Sequence, residues 1–300
     1  MNFELGIIGA GPAGITAAIY AARKNLKFIV IAKELGGQVT YNLSVENYTG
    51  FQEVSGTDLV EKFRQHLDQF KFDFIEEEAV SVIGAEEGYK ISTPEASYKA
   101  AAAIIATGTS PKKLNIAGEE EYRNKGISYC VTCDGPLFKD REVAVIGGGN
   151  HALYSAIQME GIASHVYILN SEKKLQGKGK LVEKLQKSNK ATIINNAKIL
   201  EIKGDQLVNS IKYSQNSRFH TLGIGGIFIN IGYEPQTGFL KGLTDLNQKG
   251  EIIIDWSNST SRKGIFAAGD CTNYPHKQII VAAGQGASAT LGAYQYISSL

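Results

Sequence analysis

Short apolar runs on either side of a helical stretch open the chain, and the same arrangement returns near its middle. Residues 5–8 and 28–31 are apolar, and the alanine-rich stretch between them ends near Arg23. This order predicts a buried strand, a helix and a second buried strand. Residues 141–146, 152–161 and 166–169 repeat the same order. The repeat predicts an α/β protein with two Rossmann-like, three-layer ββα nucleotide-binding modules, the second inserted in the first.

The other apolar positions predict the elements that complete these modules. Apolar residues at helical spacing predict a helix over residues 58–70, and a stretch rich in Ala and Gly predicts a closing helix over 278–296. Short alternating or apolar runs predict strands at 74–83, 89–91, 98–103, 103–106, 192–194, 198–203, 206–213 and 227–231. Six lysines are most simply the solvated face of a helix, with a functional basic patch as the alternative: Lys173, Lys174, Lys178, Lys180, Lys184 and Lys187.

A glycine-rich turn, Gly9-Ala10-Gly11-Pro12-Ala13-Gly14, joins the first predicted strand to the first helix. Glycines here permit a tight turn, let the backbone approach a pyrophosphate, and let helix and strand pack closely. The N-terminus of the helix attracts the phosphate groups. We therefore predict a dinucleotide at this turn. An acidic residue that binds the ribose is expected after the second strand, where the chain has Ala32-Lys33 and then Glu34.

Two other strands end in small residues. The strand at 103–106 runs into Thr107-Gly108-Thr109-Ser110-Pro111, a turn that another backbone or a cofactor can approach closely. The run at 264–270 ends in Gly269-Asp270. That carboxylate could hold a ribitol or ribose hydroxyl, or it could be a plain helix N-cap.

Cys130 and Cys133 are separated by two residues and followed by Asp134. Such a pair can close a small disulfide ring, and its depressed thiol pKa suits it to electron transfer. A zinc site or two inert buried thiols are the alternatives. Structural zinc usually needs a second Cys/His pair, whereas the third cysteine, Cys271, is remote and the 5 histidines are scattered. The pattern therefore favours a redox site and predicts no metal.

Composition narrows the function further. A net charge of +1 provides no global field for nucleic acid or for an acidic membrane surface. The first residues contain no basic region before an apolar core, and no apolar run reaches the roughly 18 residues of a membrane span. We expect a cytoplasmic protein. In a reducing compartment, a Cys-x-x-Cys pair is more often catalytic than a permanent crosslink.

Six motifs occur in an order that resembles the low-molecular-weight thioredoxin reductases. They are Gly9-Ala10-Gly11-Pro12-Ala13-Gly14, Gly36-Gly37-Gln38, Ala106-Thr107-Gly108, Cys130-Val131-Thr132-Cys133-Asp134-Gly135, Gly147-Gly148-Gly149 and Phe266-Ala267-Ala268-Gly269-Asp270. The resemblance covers essentially the whole chain. The stretches at 133–138, 269–271 and 277–280 are also similar to the flavoprotein component of alkyl hydroperoxide reductase.

The resemblance implies a discontinuous FAD-binding domain, residues 1–115 and 244–300. An inserted NAD(P)-type domain, residues 116–243, would carry the cysteine pair. The positions that the resemblance assigns to FAD are Gly9, Gly11, Pro12, Ala13, Gly14, Gly37, Gln38, Asn47, Ala106, Thr107, Gly108, Gly269, Asp270, Lys277, Gln278 and Ile279.

The same resemblance implies three catalytic residues and a partner. Cys133 would face the flavin, Cys130 would attack the disulfide of thioredoxin or a thioredoxin-like protein, and Asp134 would relay the proton. The family also implies a homodimer. Cys271 is expected to be a packed small hydrophobe next to the cofactor.

The electron donor is where this chain departs from the family. Members that use NADPH carry His-Arg-Arg and a further Arg after the second strand of the inserted domain. This chain has Asn170-Ser171-Glu172 and Gln176 there. Glu172 would repel a 2′-phosphate, and an acid that would bind both ribose hydroxyls of NADH is missing as well.

Three functions therefore stay open. The first is a flavin-dependent thioredoxin reductase fed by another donor, such as reduced ferredoxin. The second is an NADH- or NADPH-dependent reductase of unusual site chemistry, with Lys173, Lys174 and Lys178 near the phosphate. The third is a non-catalytic, flavin-bound redox sensor, which the intact cysteine pair beside Asp134 disfavours.

Overall fold

The computed structural model of the chain describes residues 2–41, 45–240 and 242–300. The chain divides into two compact units, Met1–Ser110 with Glu234–Leu300, and Pro111–Tyr233. The first boundary lies five residues before the predicted 115, and the second lies ten residues before the predicted 243. Two short strands, Thr109–Pro111 and Tyr233–Pro235, mark the points where the chain leaves and re-enters the first unit.

The secondary structure follows the alternating pattern of the sequence. The strands are β1 (Asn2–Ala10), β2 (Phe28–Leu35), β3 (Asp73–Ile75), β4 (Ser81–Gly84), β5 (Tyr89–Ser92), β6 (Ser97–Ile105), β7 (Thr109–Pro111), β8 (Ile127–Ser128), β9 (Glu142–Ile146), β10 (His165–Leu169), β11 (Ala191–Ile194), β12 (Ala197–Gly204), β13 (Val208–Gln215), β14 (Arg218–Gly223), β15 (Gly226–Ile229), β16 (Tyr233–Pro235) and β17 (Ile265–Ala267). The helices are α1 (Pro12–Arg23), α2 (Gly56–Leu67), α3 (Val131–Asp134), α4 (Asn150–Glu160), α5 (Gly179–Gln186) and α6 (Ile279–Ile297).

The first unit is built on a sheet of order β3-β2-β1-β6-β5-β4, with β17 also paired to β6. Strands β3, β2, β1, β6 and β17 run parallel, and β4 and β5 form an antiparallel hairpin at the edge. Leu5, Ile7, Ile29 and Ile104 are fully buried, as expected for parallel strands covered on both faces. The carboxyl ends of β1 and β6 therefore meet at one edge, where the glycine turn begins.

Helices α1 and α6 pack closely in this unit because small residues face each other. A Cβ on Gly286 would lie 2.0 Å from the backbone oxygen of Ala13. The Thr290 hydroxyl donates to the backbone oxygen of Ala17 at 3.2 Å. The Ala- and Gly-rich composition of α6 is thus a packing requirement.

The second unit contains a parallel sheet of order β11-β10-β9-β15-β8 and an antiparallel sheet of order β12-β13-β14. Helix α4 covers the parallel sheet through buried Ala152, Leu153, Ala156 and Met159. Both units thus contain the strand, glycine turn, helix and strand that the sequence predicts, and the two-module α/β fold is confirmed.

Several element boundaries differ from the predictions. Helix α2 ends at Leu67 rather than at residue 70, although Phe70 still packs against the core. Helix α5 carries only Lys180 and Lys184 of the six lysines, and Lys173, Lys174 and Lys178 precede it. Strand β15 ends at Ile229 rather than at residue 231, and the Asn230 amide that follows it donates to the backbone oxygens of Tyr129 and Ile229. Within the described residues, no helix is long and apolar enough to cross a membrane.

Candidate functional site

The first glycine turn combines tight packing with an open face. Gly9 has φ +104°, and a Cβ there would lie 2.3 Å from the backbone oxygen of Ala106. A Cβ on Gly14 would lie 1.8 Å from the backbone oxygen of Gly9, so helix and strand touch at this point. Gly11 caps α1, Pro12 is its first residue, and a Cβ on Gly11 would meet no atom within 4 Å. The N-terminus of α1 is thus open to an incoming phosphate group.

Two further segments reach this turn. A Cβ on Gly37 would lie 3.4 Å from the Cα of Gly11, and one on Gly108 would meet nothing within 4 Å. The Thr107 hydroxyl donates to the backbone oxygen of Gln236 at 2.7 Å, which fixes the turn after β6. Of the predicted glycines, Gly11 and Gly108 therefore face open space and leave the backbone accessible.

Polar side chains fix the loops around the turn. Gln38 Nε2 donates to the backbone oxygen of Thr109 at 2.6 Å and to its hydroxyl at 3.1 Å. Asn47 Nδ2 donates to Gln278 Oε1 at 3.0 Å. Ile279 packs on the small apolar cluster beneath them. These four predicted residues, Gln38, Asn47, Gln278 and Ile279, thus belong to one connected wall of the first unit.

Gly269 and Asp270 lie next to α1 and α6. A Cβ on Gly269 would lie 3.1 Å from the Cβ of Ala13, and the Gly269 N–H donates to Gln285 Oε1 at 2.7 Å. Gln285 was not predicted, although an amide flanked by two glycines, Gly284 and Gly286, in the closing helix is a usable signal. Helix α6 begins at Ile279 with Gln278 as its cap, so the N-cap alternative for Asp270 is excluded.

The Asp270 carboxylate is half-buried and has no hydrogen-bond partner among the described residues. Burial raises the pKa of Asp270, and the nearby Lys277 ammonium opposes this rise. Lys277 itself donates to the backbone oxygen of Asp270 at 3.2 Å and pairs with Glu251 at 3.1 Å. A half-buried carboxylate without a protein partner can accept hydrogen bonds from hydroxyl groups of a ligand. The open Gly11 face and this carboxylate together fit FAD.

Cys271 follows Asp270 but is not reactive. It is a free, fully buried thiol, and its Sγ lies 3.4 Å from the backbone oxygen of Ala268. Burial raises the pKa of Cys271, so the thiolate is disfavoured. The prediction that it is a packed small side chain is confirmed.

The predicted redox residues lie in the second unit, at the end of β8. Cys130 is disulfide-bonded, which excludes the zinc and inert-thiol alternatives for this residue. Its N–H donates to the Ser128 hydroxyl at 3.0 Å. That hydroxyl donates to Asp134 Oδ2 at 2.6 Å. Asp134 closes α3, and the side chain of Cys133 lies outside the described part of the structure.

Ser128 was missed from the sequence. It is 4% exposed and connects the backbone of Cys130 to the Asp134 carboxylate. A hydroxyl that donates to a carboxylate at 2.6 Å makes a strong, charge-assisted bond. The redox cysteine and its neighbouring acid are therefore held in one local arrangement. No group of three or more His, Cys, Asp or Glu residues suited to a metal occurs among the described side chains.

The second glycine turn resembles the first in its backbone. Gly147 has φ +134°, and a Cβ there would lie 2.4 Å from the backbone oxygen of Asn230. Gly149 caps α4, and a Cβ on it would meet nothing within 4 Å. The turn differs at Gly148, where a Cβ would lie 2.3 Å from Asn170 Oδ1. Asn170 thus contacts the turn directly.

Comparisons with known proteins identify the family of the chain. The sequence profile of the pyridine nucleotide-disulphide oxidoreductase family matches residues 3–286. The F component of alkyl hydroperoxide reductase in Escherichia coli (strain K12) is 40% identical over 303 residues, which cover 98% of this chain and 58% of that protein. The chain thus spans less than two thirds of the length of this curated relative.

Two crystal structures match over nearly their whole length. Thioredoxin reductase from Streptococcus pyogenes MGAS5005 has a TM-score of 0.88 and 35% identity, covering 100% of this chain and 99% of that chain. A ferredoxin-flavin thioredoxin reductase from Clostridium acetobutylicum has a TM-score of 0.56 and 30% identity, covering 100% of this chain and 98% of that chain.

Proposed function

This chain belongs to the pyridine nucleotide-disulphide oxidoreductase family, and we propose that it is a thioredoxin reductase whose electron donor is neither NADH nor NADPH. It is a flavin-dependent disulfide oxidoreductase with FAD as its cofactor. The observation that carries the proposal is the disulfide-bonded Cys130, joined through Ser128 to Asp134. We infer that reduced ferredoxin, or another low-potential protein, is the donor.

The first unit would hold FAD with its backbone. The open Gly11 face and the N-terminus of α1 would accept the pyrophosphate, since a Cβ on Gly11 would meet no atom within 4 Å and no side chain caps the helix. The Asp270 carboxylate would accept hydrogen bonds from hydroxyl groups. When bound, FAD supplies the two-electron chemistry that reduces a disulfide.

The cysteine pair would then pass two electrons to a protein disulfide. Once the Cys130–Cys133 bond is reduced, the Cys130 thiolate attacks one sulfur of the partner's disulfide and forms a mixed disulfide. Cys133 displaces the partner's thiol and restores the pair. Asp134 supplies and removes the protons, and its bond to Ser128 keeps the carboxylate near Cys130. Two reduced ferredoxins and two protons balance the reduction of one disulfide to two thiols.

The donor assignment depends on the residues after β10. Asn170-Ser171-Glu172 and Gln176 stand where NADPH-dependent relatives carry basic residues, and the exposed Glu172 would repel a 2′-phosphate. A structural relative named for ferredoxin and flavin supports a protein donor.

A protein of the peroxiredoxin system is the alternative acceptor to thioredoxin. The 40% identity to the F component of alkyl hydroperoxide reductase favours it. The disulfide exchange at Cys130 would be the same, and only the docking surface would differ.

Anaerobic stopped-flow absorbance of the FAD-loaded chain tests the proposal. We expect reduced ferredoxin to bleach the flavin and thioredoxin to gain two thiols per two electrons, whereas NADH and NADPH leave the flavin oxidised on that time scale. Rapid bleaching by NADH or NADPH would refute the donor assignment. If the reduced flavoprotein forms no thiols on thioredoxin but forms them on a protein of the peroxiredoxin system, that protein would replace thioredoxin as the proposed acceptor.

A further inference from the structure

We infer that Asn170 closes the nucleotide site of the second unit, so that this unit no longer binds the adenosine ribose of NADH or NADPH. The inference deepens the proposed donor assignment and rests on it only in part, because ligand binding can be measured without turnover. It assigns the exclusion to one side chain and its hydrogen bonds.

Asn170 occupies the position that decides ribose binding in a Rossmann-like module. It directly follows β10, the second strand of the unit's glycine-turn motif. In dinucleotide-binding modules an acid at this place accepts hydrogen bonds from the ribose hydroxyls. Asn170 is only 2% exposed, and its Oδ1 lies 2.3 Å from the position of a Cβ on Gly148. Its side chain is therefore pressed against the second residue of the glycine turn.

Every hydrogen-bonding group of the Asn170 amide is engaged by the chain itself. An amide side chain has two N–H donors and one oxygen. Nδ2 donates to Asn195 Oδ1 at 2.8 Å and to the backbone oxygen of Glu172 at 3.1 Å. Oδ1 accepts from the Glu172 N–H at 3.3 Å. A ribose would have to displace these bonds from a buried side chain, at a free-energy cost that its own hydroxyls would only repay in part.

The partners of Asn170 are themselves fixed. Gln215 Nε2 donates to the backbone oxygen of Asn195 at 2.9 Å, and the Asn196 N–H donates to the backbone oxygen of Glu172 at 3.0 Å. Asn170 cannot turn outward unless this local network rearranges.

The segment that follows is tied to the turn as well. The Gln176 N–H donates to the backbone oxygen of Gly148 at 2.8 Å. The Lys178 N–H donates to Asn150 Oδ1 at 2.7 Å, and Asn150 is the first residue of α4. This contact occupies a side chain at the end of the helix where a pyrophosphate would bind. The amide network and the tied segment both close the site from the side of β10.

Calorimetric titration of the FAD-loaded full chain with ADP-ribose tests the inference, since this probe carries the adenosine and pyrophosphate but no redox group. Asn170→Asp replaces both N–H donors with acceptors, so that the carboxylate faces the oxygens of Asn195 and Glu172 and is repelled from them. The freed carboxylate can accept hydrogen bonds from ribose hydroxyls. We expect affinity for ADP-ribose at least about tenfold higher than in the wild type, because one charged hydrogen bond is worth that much.

Asn195→Asp is the matched control. It adds the same charge 25 residues away in the chain but keeps an acceptor for Asn170 Nδ2, so its affinity should equal that of the wild type. Asn195→Ala removes that acceptor without adding charge, and it should show an intermediate gain if Asn170→Asp fails to fold. Circular dichroism and flavin content establish folding.

Two results would overturn the inference. One is a wild type that binds ADP-ribose within threefold of Asn170→Asp. The other is a folded Asn170→Asp, or a folded Asn195→Ala, with no gain over the wild type. Ferredoxin-driven disulfide reduction is scored separately. If ADP-ribose binding follows the expected order but the chain shows no ferredoxin-driven disulfide reduction, the proposed donor is refuted. The closure of the site would still stand.

Discussion

The glycine turn that begins at Gly9 and the one that begins at Gly147 share a backbone but not a ligand-binding surface. In each turn the first glycine has positive φ and approaches the end of a neighbouring strand, with Cβ distances of 2.3 and 2.4 Å to a backbone oxygen. In each, the third residue of the turn, Gly11 or Gly149, caps a helix and faces open space. The backbone of this turn is thus insufficient to indicate whether a nucleotide binds.

The difference lies in the side chains around each turn. In the first unit, Asp270 offers a half-buried carboxylate without a partner among the described residues. In the second, the amide of Asn170 is satisfied by Asn195 and Glu172. Under the proposed closure, the second unit keeps the repeated backbone as a scaffold without its nucleotide. The chemistry of the second unit then belongs to Cys130.

The largest expected effect comes from placing valine at the equivalent positions Gly11 and Gly149. Both have room for a side chain, so both variants should fold. Gly11→Val should lower FAD affinity at least about a hundredfold, or about 2.8 kcal/mol, because the branched side chain fills the space that the pyrophosphate needs. Gly149→Val should leave FAD content and ferredoxin-driven turnover unchanged. Flavin absorbance per protein after gel filtration measures this, and a fully yellow Gly11→Val would contradict it.

The next effect concerns the last position of each turn. Gly14→Ala places a Cβ 1.8 Å from the backbone oxygen of Gly9, so we expect a loss of about 2 kcal/mol or more in the free energy of unfolding. The second unit already has Ala152 there, fully buried. Ala152→Gly should lose only about 1 kcal/mol, the difference in helix propensity.

Urea unfolding of the apo-protein, followed by circular dichroism, distinguishes these two variants. Equal losses in the free energy of unfolding would show that α1 lies as far from β1 as α4 lies from β9. That result would contradict the closer approach at Gly14.

A smaller effect is expected at Ser128, which lies beside the cysteine pair of the second unit. Ser128→Ala removes the 2.6 Å bond to Asp134. Hydrogen bonds to charged groups are worth about 1.5–3 kcal/mol, so kcat for disulfide reduction should fall at least about tenfold. Ser128→Thr keeps the hydroxyl and should recover most of the rate. FAD content and thermal melting serve as controls, and an unchanged kcat in a folded Ser128→Ala would show that Asp134 needs no support.

The smallest effect is expected at the lysines next to the closed site. Lys173 and Lys174 are exposed and lie outside the helices. Replacing both with alanine should change turnover less than about twofold, since exposed charges contribute little. Steady-state rates at low and high salt measure this. A large loss that appears only at low salt would make these lysines the docking patch of an acidic donor.

The sequence predicted the elements that depend on local pattern. The helices after Gly11 and Gly149 and the parallel strands around them follow from apolar runs and glycine placement, and the structure confirms them. The wall of Gln38 and Asn47 was identified by resemblance alone. Its contacts to Thr109 and Gln278 join residues far apart in the chain, which no local pattern encodes.

The residues that sequence reasoning missed share that property. Gln285 acts on Gly269 across 16 residues, and Asn195 acts on Asn170 across 25. An asparagine at the end of a strand could either bind a ribose or form hydrogen bonds within the chain. Only its hydrogen-bond partners distinguish these two roles. The missing arginines show only that the second site departs from the NADPH-dependent pattern, and the proposed closure rests on the geometry of Asn170.

The close approach of Gly286 to Ala13 has a consequence for the order of events in the cell. The first glycine turn precedes α6 in the chain, and Gly286 of α6 leaves no room for a Cβ beside Ala13. Proteins emerge from the ribosome in sequence order, at about 5–20 residues per second. Helix α1 therefore leaves the exit tunnel before its packing partner, and it cannot reach its final packing until α6 has followed.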